Sequence, residues 1–148
     1  MQKRFKNFYE YIFIIYNVEI TKIEPAFEDE RGSIWDFLTD ENIHHIGFLI
    51  SKKGSIRGSH YHKEQKQYTL VTKGKIKVTV KNLQDGNSKI ETKELSKMDM
   101  VFFPPYHYHS IVAIEDAECL VFTSKSRKGT GYEDDTFRIK DINSFKLE

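Results

Sequence analysis

Short runs of alternating apolar and polar residues recur from residue 18 onward, at intervals of roughly 8 to 12 residues. The clearest run covers residues 75–81, where Ile76, Val78 and Val80 alternate with lysine and threonine. Successive side chains of a strand point to opposite faces of a sheet. This run therefore predicts a strand with one face in the core and the other in water.

A tight turn is predicted soon after that strand. Asp85 and Gly86 accept the positive φ angles that a hairpin needs, so the chain is expected to return in a strand over residues 89–95. No stretch shows a helical periodicity of apolar residues as clear as the alternation in these runs. The pattern therefore predicts an all-β sandwich or barrel. A loop is predicted over residues 126–131, and a short helix or strand after Arg138. The further predicted strands cover residues 33–38, 44–51, 67–72, 100–103, 109–114 and 118–124.

The length of 148 residues and the three prolines suit one apolar core. The sequence has no internal repeat and no linker rich in proline, glycine or serine, so residues 18–148 are expected to form a single domain. Residues 1–17 are expected to be an N-terminal extension or an interface strand. Their apolar stretch, residues 11–16, is too short to span a membrane, so no membrane attachment is predicted.

Charge and cysteine content narrow the possible partners. Lys and Arg total 23 against 22 Asp and Glu, so no global field draws nucleic acid or an anionic membrane. The one cysteine, Cys119, lies in an apolar run, so no internal disulfide is possible and a reducing cytoplasm is expected. The 11 Phe and 8 Tyr are a surplus of the kind that often covers a subunit interface, and this predicts a homodimer.

Two histidines placed two residues apart carry the most chemical content. On a strand, His60 and His62 would project from one face, about 6 to 7 Å from each other. Gln67 can join that face only if residues 63–66 form a turn that resets the alternation. A third histidine, His109, follows a proline corner that would fix where its ring points.

The first of these segments resembles the first signature motif of the cupin superfamily, Gly-x5-His-x-His-x3,4-Glu-x6-Gly. His60, His62 and Gly74 stand in place, and Gln67 stands where glutamate is usual. The implied fold is a cupin jelly-roll β-sandwich, also called a double-stranded β-helix.

The second segment resembles the second cupin motif, Pro-x-Gly-x-x-His. Pro104 and His109 match it, and Tyr106 replaces the glycine. The two motifs together place the resemblance over roughly residues 25 to 138.

Within the cupins, residues 27–32, 57–62 and 132–135 resemble the dTDP-4-keto-6-deoxyhexose 3,5-epimerases, including dTDP-4-dehydrorhamnose 3,5-epimerase, and the dTDP-sugar 3,4-ketoisomerases. Gln67 favours the ketoisomerases, because the epimerases carry lysine at that spacing before the glycine. The sequence departs from the ketoisomerases at Tyr61, where they usually have alanine, and in the extra His107. The resemblance implies an isomerase acting on a nucleotide-diphosphate sugar without a cofactor.

Catalytic roles follow from this resemblance and from the chemistry of the side chains. Proton removal next to a ketone needs a base that titrates near neutral pH, and imidazole does so. His60 is the predicted base, and His62 is predicted to stabilise the enediolate or relay its proton. Tyr132 or Tyr68 would return a proton.

Substrate-binding roles are also implied by the resemblance. Arg31 and Arg57 would hold the diphosphate, because a guanidinium offers charge-assisted bidentate contacts. Gln67, Tyr68 and His109 would complete the substrate pocket.

Two other functions remain open at this point. Three neutral imidazoles and a side-chain oxygen can bind a divalent transition metal, and such a site would use His60, His62, Gln67 and His109. A non-catalytic sugar-binding cupin is the other alternative.

Overall fold

The computed structural model describes residues 12–15 and 18–148, and nearly all of their regular structure is β-strand. A single short helix, α1, interrupts the strands near the end. The elements in chain order are β1 (Ile12–Ile15), β2 (Val18–Lys22), β3 (Phe27–Asp29), β4 (Gly32–Ile34), β5 (His45–Ser51), β6 (Ile56–Tyr61), β7 (Gln67–Lys73), β8 (Ile76–Asn82), β9 (Glu91–Leu95), β10 (Asp99–Phe103), β11 (His107–Ala113), β12 (Ala117–Thr123), α1 (Gly131–Asp134) and β13 (Phe137–Arg138).

Two antiparallel sheets form the body of the molecule. The six-stranded sheet has the order β1-β2-β10-β7-β12-β5, and the five-stranded sheet has the order β13-β6-β11-β8-β9. A separate hairpin joins β3 to β4. The all-β prediction is confirmed, and most predicted strands fall within a few residues of their observed bounds.

The main core fills the space between the two sheets. Alternate residues of strands from both sheets contribute, including Val71 and Val101 from one and Val78 and Ile111 from the other. Cys119, which lies in an apolar run of the sequence, belongs to this core and is unpaired. This packing explains the alternation in residues 75–81, because Ile76, Val78 and Val80 of β8 are almost fully buried.

The prediction of a strand over residues 33–38 is wrong beyond Ile34. In place of a strand, Trp35, Phe37 and Leu38 pack against the outer face of the six-stranded sheet. The bulky apolar residues at these positions have the sequence pattern of a buried strand. They are buried because they cover the outer face of a sheet, and they do not pair with a strand. The helix or strand predicted after Arg138 is also wrong, because the tail docks through its apolar side chains onto the outer face of the five-stranded sheet.

The N-terminal prediction lies mostly outside the described residues, and of that segment only β1 is described. Its backbone pairs with β2. In the described part of the chain, no helix is long and apolar enough to cross a membrane.

Two glycines with similar backbone angles provide a matched test of packing. Gly74, between β7 and β8, has φ +72°, and a Cβ there would lie 2.2 Å from the Asp116 carbonyl oxygen. Gly54, between β5 and β6, has φ +84° and open space around it.

We therefore expect Gly54→Ala to cost only the left-handed strain, about 1 kcal/mol. Gly74→Ala adds overpacking against backbone and is expected to cost roughly 2 kcal/mol more. Urea unfolding of both variants measures the difference. Equal costs would show that the turn at Gly74 adapts to a side chain.

Candidate active site

The pairing of β6 with β11 brings the histidines together. His60 on β6 lies opposite His109 on β11, and the register shifts immediately afterwards, so that Ser110 faces Gly58. Gly58 has φ +80° and Ser59 has φ +57°, which is the backbone of a bulge in which one strand carries an extra residue. A Cβ at position 58 would lie 2.8 Å from the His109 carbonyl oxygen, so glycine allows the strands to approach.

The three imidazole rings form one cluster, as the sequence predicted. The His60 centroid lies 4.7 Å from that of His62 and 4.7 Å from that of His109. His62 and His109 are 5.6 Å apart. All three side chains are buried, and Phe103 of the opposite sheet stacks on His109 at 4.3 Å. The rings therefore lie inside the sandwich rather than on its surface.

His62 is held by hydrogen bonds at both nitrogens. Nδ1–H donates to the Asp135 carbonyl oxygen at 2.8 Å, and Nε2 accepts from the Gln65 amide Nε2 at 3.1 Å. This arrangement fixes a neutral tautomer with its proton on Nδ1.

Asp135 also shapes the turn that follows His62. Its Oδ1 accepts the Lys63 backbone N–H at 2.9 Å, and its Oδ2 accepts the Gln65 backbone N–H at 2.8 Å. The predicted turn over residues 63–66 is confirmed, and within it Gln65 is buried, with 1% of the residue exposed. The sequence signal for Gln65 was its place three residues after His62, where a turn folds the side chain back onto the ring.

His109 keeps one nitrogen without a partner. Its Nδ1–H donates to the His107 carbonyl oxygen at 3.1 Å, which leaves the lone pair of Nε2 as an acceptor. Among the described residues, this buried Nε2 has no hydrogen-bond partner. An orphaned buried acceptor costs roughly 1 to 3 kcal/mol, and the hydroxyl of a bound ligand would satisfy it.

Burial makes all three imidazoles neutral at physiological pH. Desolvation is the largest cause in each case, and it lowers the pKa of His60 to about 4, with smaller contributions from His62, Arg138 and Arg127. The pKa of His109 is also lowered well below its ordinary value by desolvation. At His62 desolvation again lowers the pKa, and the hydrogen bond to the Asp135 carbonyl opposes the shift.

Tyr132 and two arginines lie beside the cluster. The Tyr132 ring on α1 lies 5.6 Å from the His62 ring, and the Arg127 guanidinium lies 4.5 Å from the Tyr132 centroid. Arg138 is paired in register with His60 across β13 and β6. The sequence predicted Tyr132 at this site but not Arg127 or Arg138. Arg127 lies in the loop before α1, and Arg138 lies at the end of the region that resembles the cupins.

Three of the four predicted metal ligands lie close together in this arrangement. The ligand nitrogens of His60, His62 and His109 lie within 4.8 Å of one another, but His62 Nε2 is engaged by Gln65. Gln67, the predicted fourth ligand, donates its amide to Thr69 Oγ1 at 3.3 Å. A metal bound by three imidazoles would first have to displace Gln65.

The prediction that Tyr68 contacts the pocket is wrong. Adjacent residues of a strand face opposite sides of a sheet, and Gln67 shares the inner face with Thr69 and Val71. Tyr68 points outward, where its ring stacks on Phe102 at 4.6 Å and packs in the outer cluster.

The two predicted phosphate ligands make their bonds elsewhere in this structure. Arg31, exposed at the tip of the β3–β4 hairpin, pairs with Asp29 at 2.6 Å. Arg57 donates to Ser51 Oγ at 3.1 Å and to the Ile50 carbonyl oxygen at 3.0 Å, at the end of β5. Their phosphate-binding roles stay predictions.

Solved structures of sugar-nucleotide enzymes share this fold. A dTDP-4-dehydrorhamnose 3,5-epimerase from Sulfolobus tokodaii superposes with a TM-score of 0.67 and 22% identity, covering 88% of this chain and 80% of that one. A variant of the 3,4-ketoisomerase QdtA from Thermoanaerobacterium thermosaccharolyticum, in complex with TDP-4-keto-6-deoxyglucose, gives 0.68 and 20%, covering 85% and 90%. The TDP-quinovose 3,4-ketoisomerase WlaRB from Campylobacter jejuni gives 0.68 and 17%, covering 84% and 95%. These likenesses establish the cupin sandwich.

Among curated protein sequences, none matches this chain. The family model described as the polysaccharide biosynthesis C-terminal domain matches residues 27–137, which include all three histidines and Tyr132. Because that match covers well over half of the sequence, the chain belongs to the polysaccharide biosynthesis C-terminal domain family, with the fold of the RmlC-like cupins.

Proposed function

We propose that this protein is a sugar-nucleotide isomerase that moves a proton next to the ketone of a dTDP-4-keto-6-deoxyhexose, in the manner of a 3,4-ketoisomerase. The observation that carries the proposal is the buried cluster of three neutral imidazoles with Tyr132 at its side. The solved structures with this fold, whose names record TDP-sugar chemistry, support the substrate class.

His60 is the proposed base. Its ring nitrogens have no hydrogen-bond partner among the described residues, whereas His62 is engaged at both nitrogens. The proton on C3 passes to His60, and the C–H electron pair forms a C3=C4 double bond while the C4 ketone becomes an enediolate oxygen. Arg127 and Arg138, whose charges are felt at His60, would stabilise this negative charge.

The second half of the reaction needs a proton relay between O3 and O4. Tyr132 is the proposed relay, because His62 must first release Gln65 before its Nε2 can accept a proton. Return of the proton to C4 moves the ketone to C3, whereas return to the opposite face of C3 inverts that centre. His109 Nε2 is the proposed acceptor for a substrate hydroxyl.

The base assignment predicts the effect of His60→Asn. This variant is expected to lose about 10² to 10⁴-fold in kcat and to retain nucleotide binding, since asparagine cannot take the proton but fills similar space. Incubation with dTDP-4-keto-6-deoxyglucose in deuterated water, followed by mass spectrometry, measures deuterium uptake next to the carbonyl. His44→Asn, at an exposed position before β5, is the matched control.

The same experiment distinguishes the two other functions. A non-catalytic sugar-binding protein would bind the nucleotide sugar and take up no deuterium. A metal enzyme, favoured by the unpartnered His109 Nε2, would lose exchange on chelation and regain it with a divalent metal. Unchanged exchange after chelation would support the proposed cofactor-independent reaction.

The lowered pKa of His60 predicts an unusual pH profile. Its folded-state pKa of about 4 lies below the ordinary value of 6.5, so the neutral base persists as the pH falls. The acid limb of kcat/KM is therefore expected to have its midpoint well below 6.5. Folding stability is lost over the same window, from 6.5 down to about 4, because the unfolded chain binds the proton first, and unfolding is followed in parallel. A midpoint at or above 6.5 would contradict the assignment.

The assembly we propose is a homodimer in the cytoplasm. The outward side chains of Ile46, Phe48 and Ile50 on β5 form an apolar row, here called the β5 stripe, with 63%, 58% and 57% of each residue exposed. In the described part of the chain, β5 pairs only with β12 and ends the sheet. An edge strand pairing antiparallel with its own copy satisfies a twofold axis. The buried free thiol of Cys119 suits a reducing compartment.

The β5 stripe predicts that Phe48→Lys weakens the dimer. A charge in an apolar twofold interface appears twice and repels itself, so sedimentation velocity is expected to show a shift from twice the chain mass to the chain mass. Lys77→Ala, at an exposed position of β8, is the control and should leave the mass unchanged. A monomeric wild-type protein would refute the proposed dimer.

A further inference from the structure

A cavity that is half open to solvent lies on the outer face of the five-stranded sheet, behind the strand that carries the histidines. Its volume is about 420 Å³, which is within the range of small-molecule sites. Its walls include the aromatic rings of Tyr61, Tyr106 and Phe145, together with Lys63 and Lys146.

Strand alternation separates this cavity from the histidine cluster. Tyr61 lies between His60 and His62 in sequence and therefore points to the opposite face of β6. There it belongs to the cluster that the C-terminal tail covers with Ile139 and its neighbours. The cavity is thus a distinct feature and does not depend on the proposed isomerase function.

The aromatic wall is built from stacked rings. The Tyr61 and Tyr106 centroids are 6.2 Å apart at 30°, and Phe145 lies 5.9 Å from Tyr61 at 55°. Offset and tilted pairs of this kind present a π-face and a ring edge to a third ring. Tyr61 is 5% exposed and already stacks on Phe137 at 5.1 Å. The rings open to a planar ligand are therefore the partly exposed ones of Tyr106 and Phe145.

Tyr106 occupies its place in the wall at a conformational cost. Its φ is +59°, in the left-handed region that bulky residues rarely adopt. It follows Pro105 in a turn closed by the His107 N–H and the Pro104 carbonyl oxygen, a position where glycine would be unstrained. Tyr106 is also the position at which the second cupin motif has glycine. Because this backbone strain occurs at a residue whose ring lines the cavity, it indicates a role for Tyr106 beyond forming the turn.

Two lysines also line the cavity. Among the described residues, neither Lys63 nor Lys146 forms an ion pair with a carboxylate, and the Lys63 ammonium lies 4.6 Å from the Phe137 centroid. Glu148 is the one acidic side chain that lines the cavity, alongside the two lysines and the amide of Gln84.

We infer that this cavity binds an aromatic ring carrying an anionic group, with the ring stacked on Tyr106 and the anion at Lys63. The ring contributes apolar and stacking contacts, and the ammonium contributes a charge-assisted hydrogen bond. Neither half of such a ligand is expected to bind well alone.

Phenyl phosphate is the probe that tests this inference. Titration of the full-length ¹⁵N-labelled protein is expected to shift the amide signals of Tyr61, Lys63 and Tyr106 in a saturable manner. Phenol and inorganic phosphate, which each carry half of the chemistry, should bind at least roughly tenfold more weakly. Equal binding of inorganic phosphate, or shifts confined to the histidine cluster, would overturn the inference.

Variants separate the two contributions. Tyr106→Gly removes the ring while accepting the turn, and Lys63→Gln removes the charge; each is expected to weaken phenyl phosphate binding by roughly tenfold. Lys66→Gln, in the same turn but outside the cavity, is the matched control. His60→Asn should bind the probe as the wild type does, and loss of binding in that variant would place the probe in the histidine cluster instead. Wild-type affinity in both cavity variants would refute the site.

Discussion

The candidate site depends on one interaction, the antiparallel pairing of β6 with β11. It sets His60 opposite His109, and a slip of one residue would turn one of the two rings to the outer face of the sheet. The bulge at Gly58 and Ser59 fixes this register, because the backbone of β11 passes too close to Gly58 for any other side chain. The placement of the histidines is therefore a property of backbone geometry as much as of the residues themselves.

Burial gives the cluster its chemical character. Phe103 of the opposite sheet covers His109, and exclusion of water disfavours the charged form of each ring. Surrounding cations reinforce the effect at His60. The result is a cluster of neutral rings, and a negative charge placed beside one of them would raise the pKa of that ring.

Much of this arrangement was accessible from the sequence, because it rests on period-two alternation and on motif spacing. The strands, the inward pairing of His60 with His62 and the corner before His109 all follow from local rules. Tyr68 and Gln65 did not, for opposite reasons. Tyr68 lies next to an inward residue of its strand and therefore faces away from the pocket. Gln65 stands among charged residues in the sequence, and it is buried in a turn whose backbone N–H groups donate to Asp135. Contacts between segments about 70 residues apart leave no local signal.

Asp135 is far from His62 in the sequence, and this distance affects when the site forms during synthesis and folding. His62 and the turn after it take their orientation from a residue 73 positions further along the chain. During synthesis the N-terminal parts of a chain emerge first, so β6 leaves the ribosome long before its partner exists. The nascent chain therefore carries His62 without its hydrogen-bond acceptor until the segment after α1 has been synthesised.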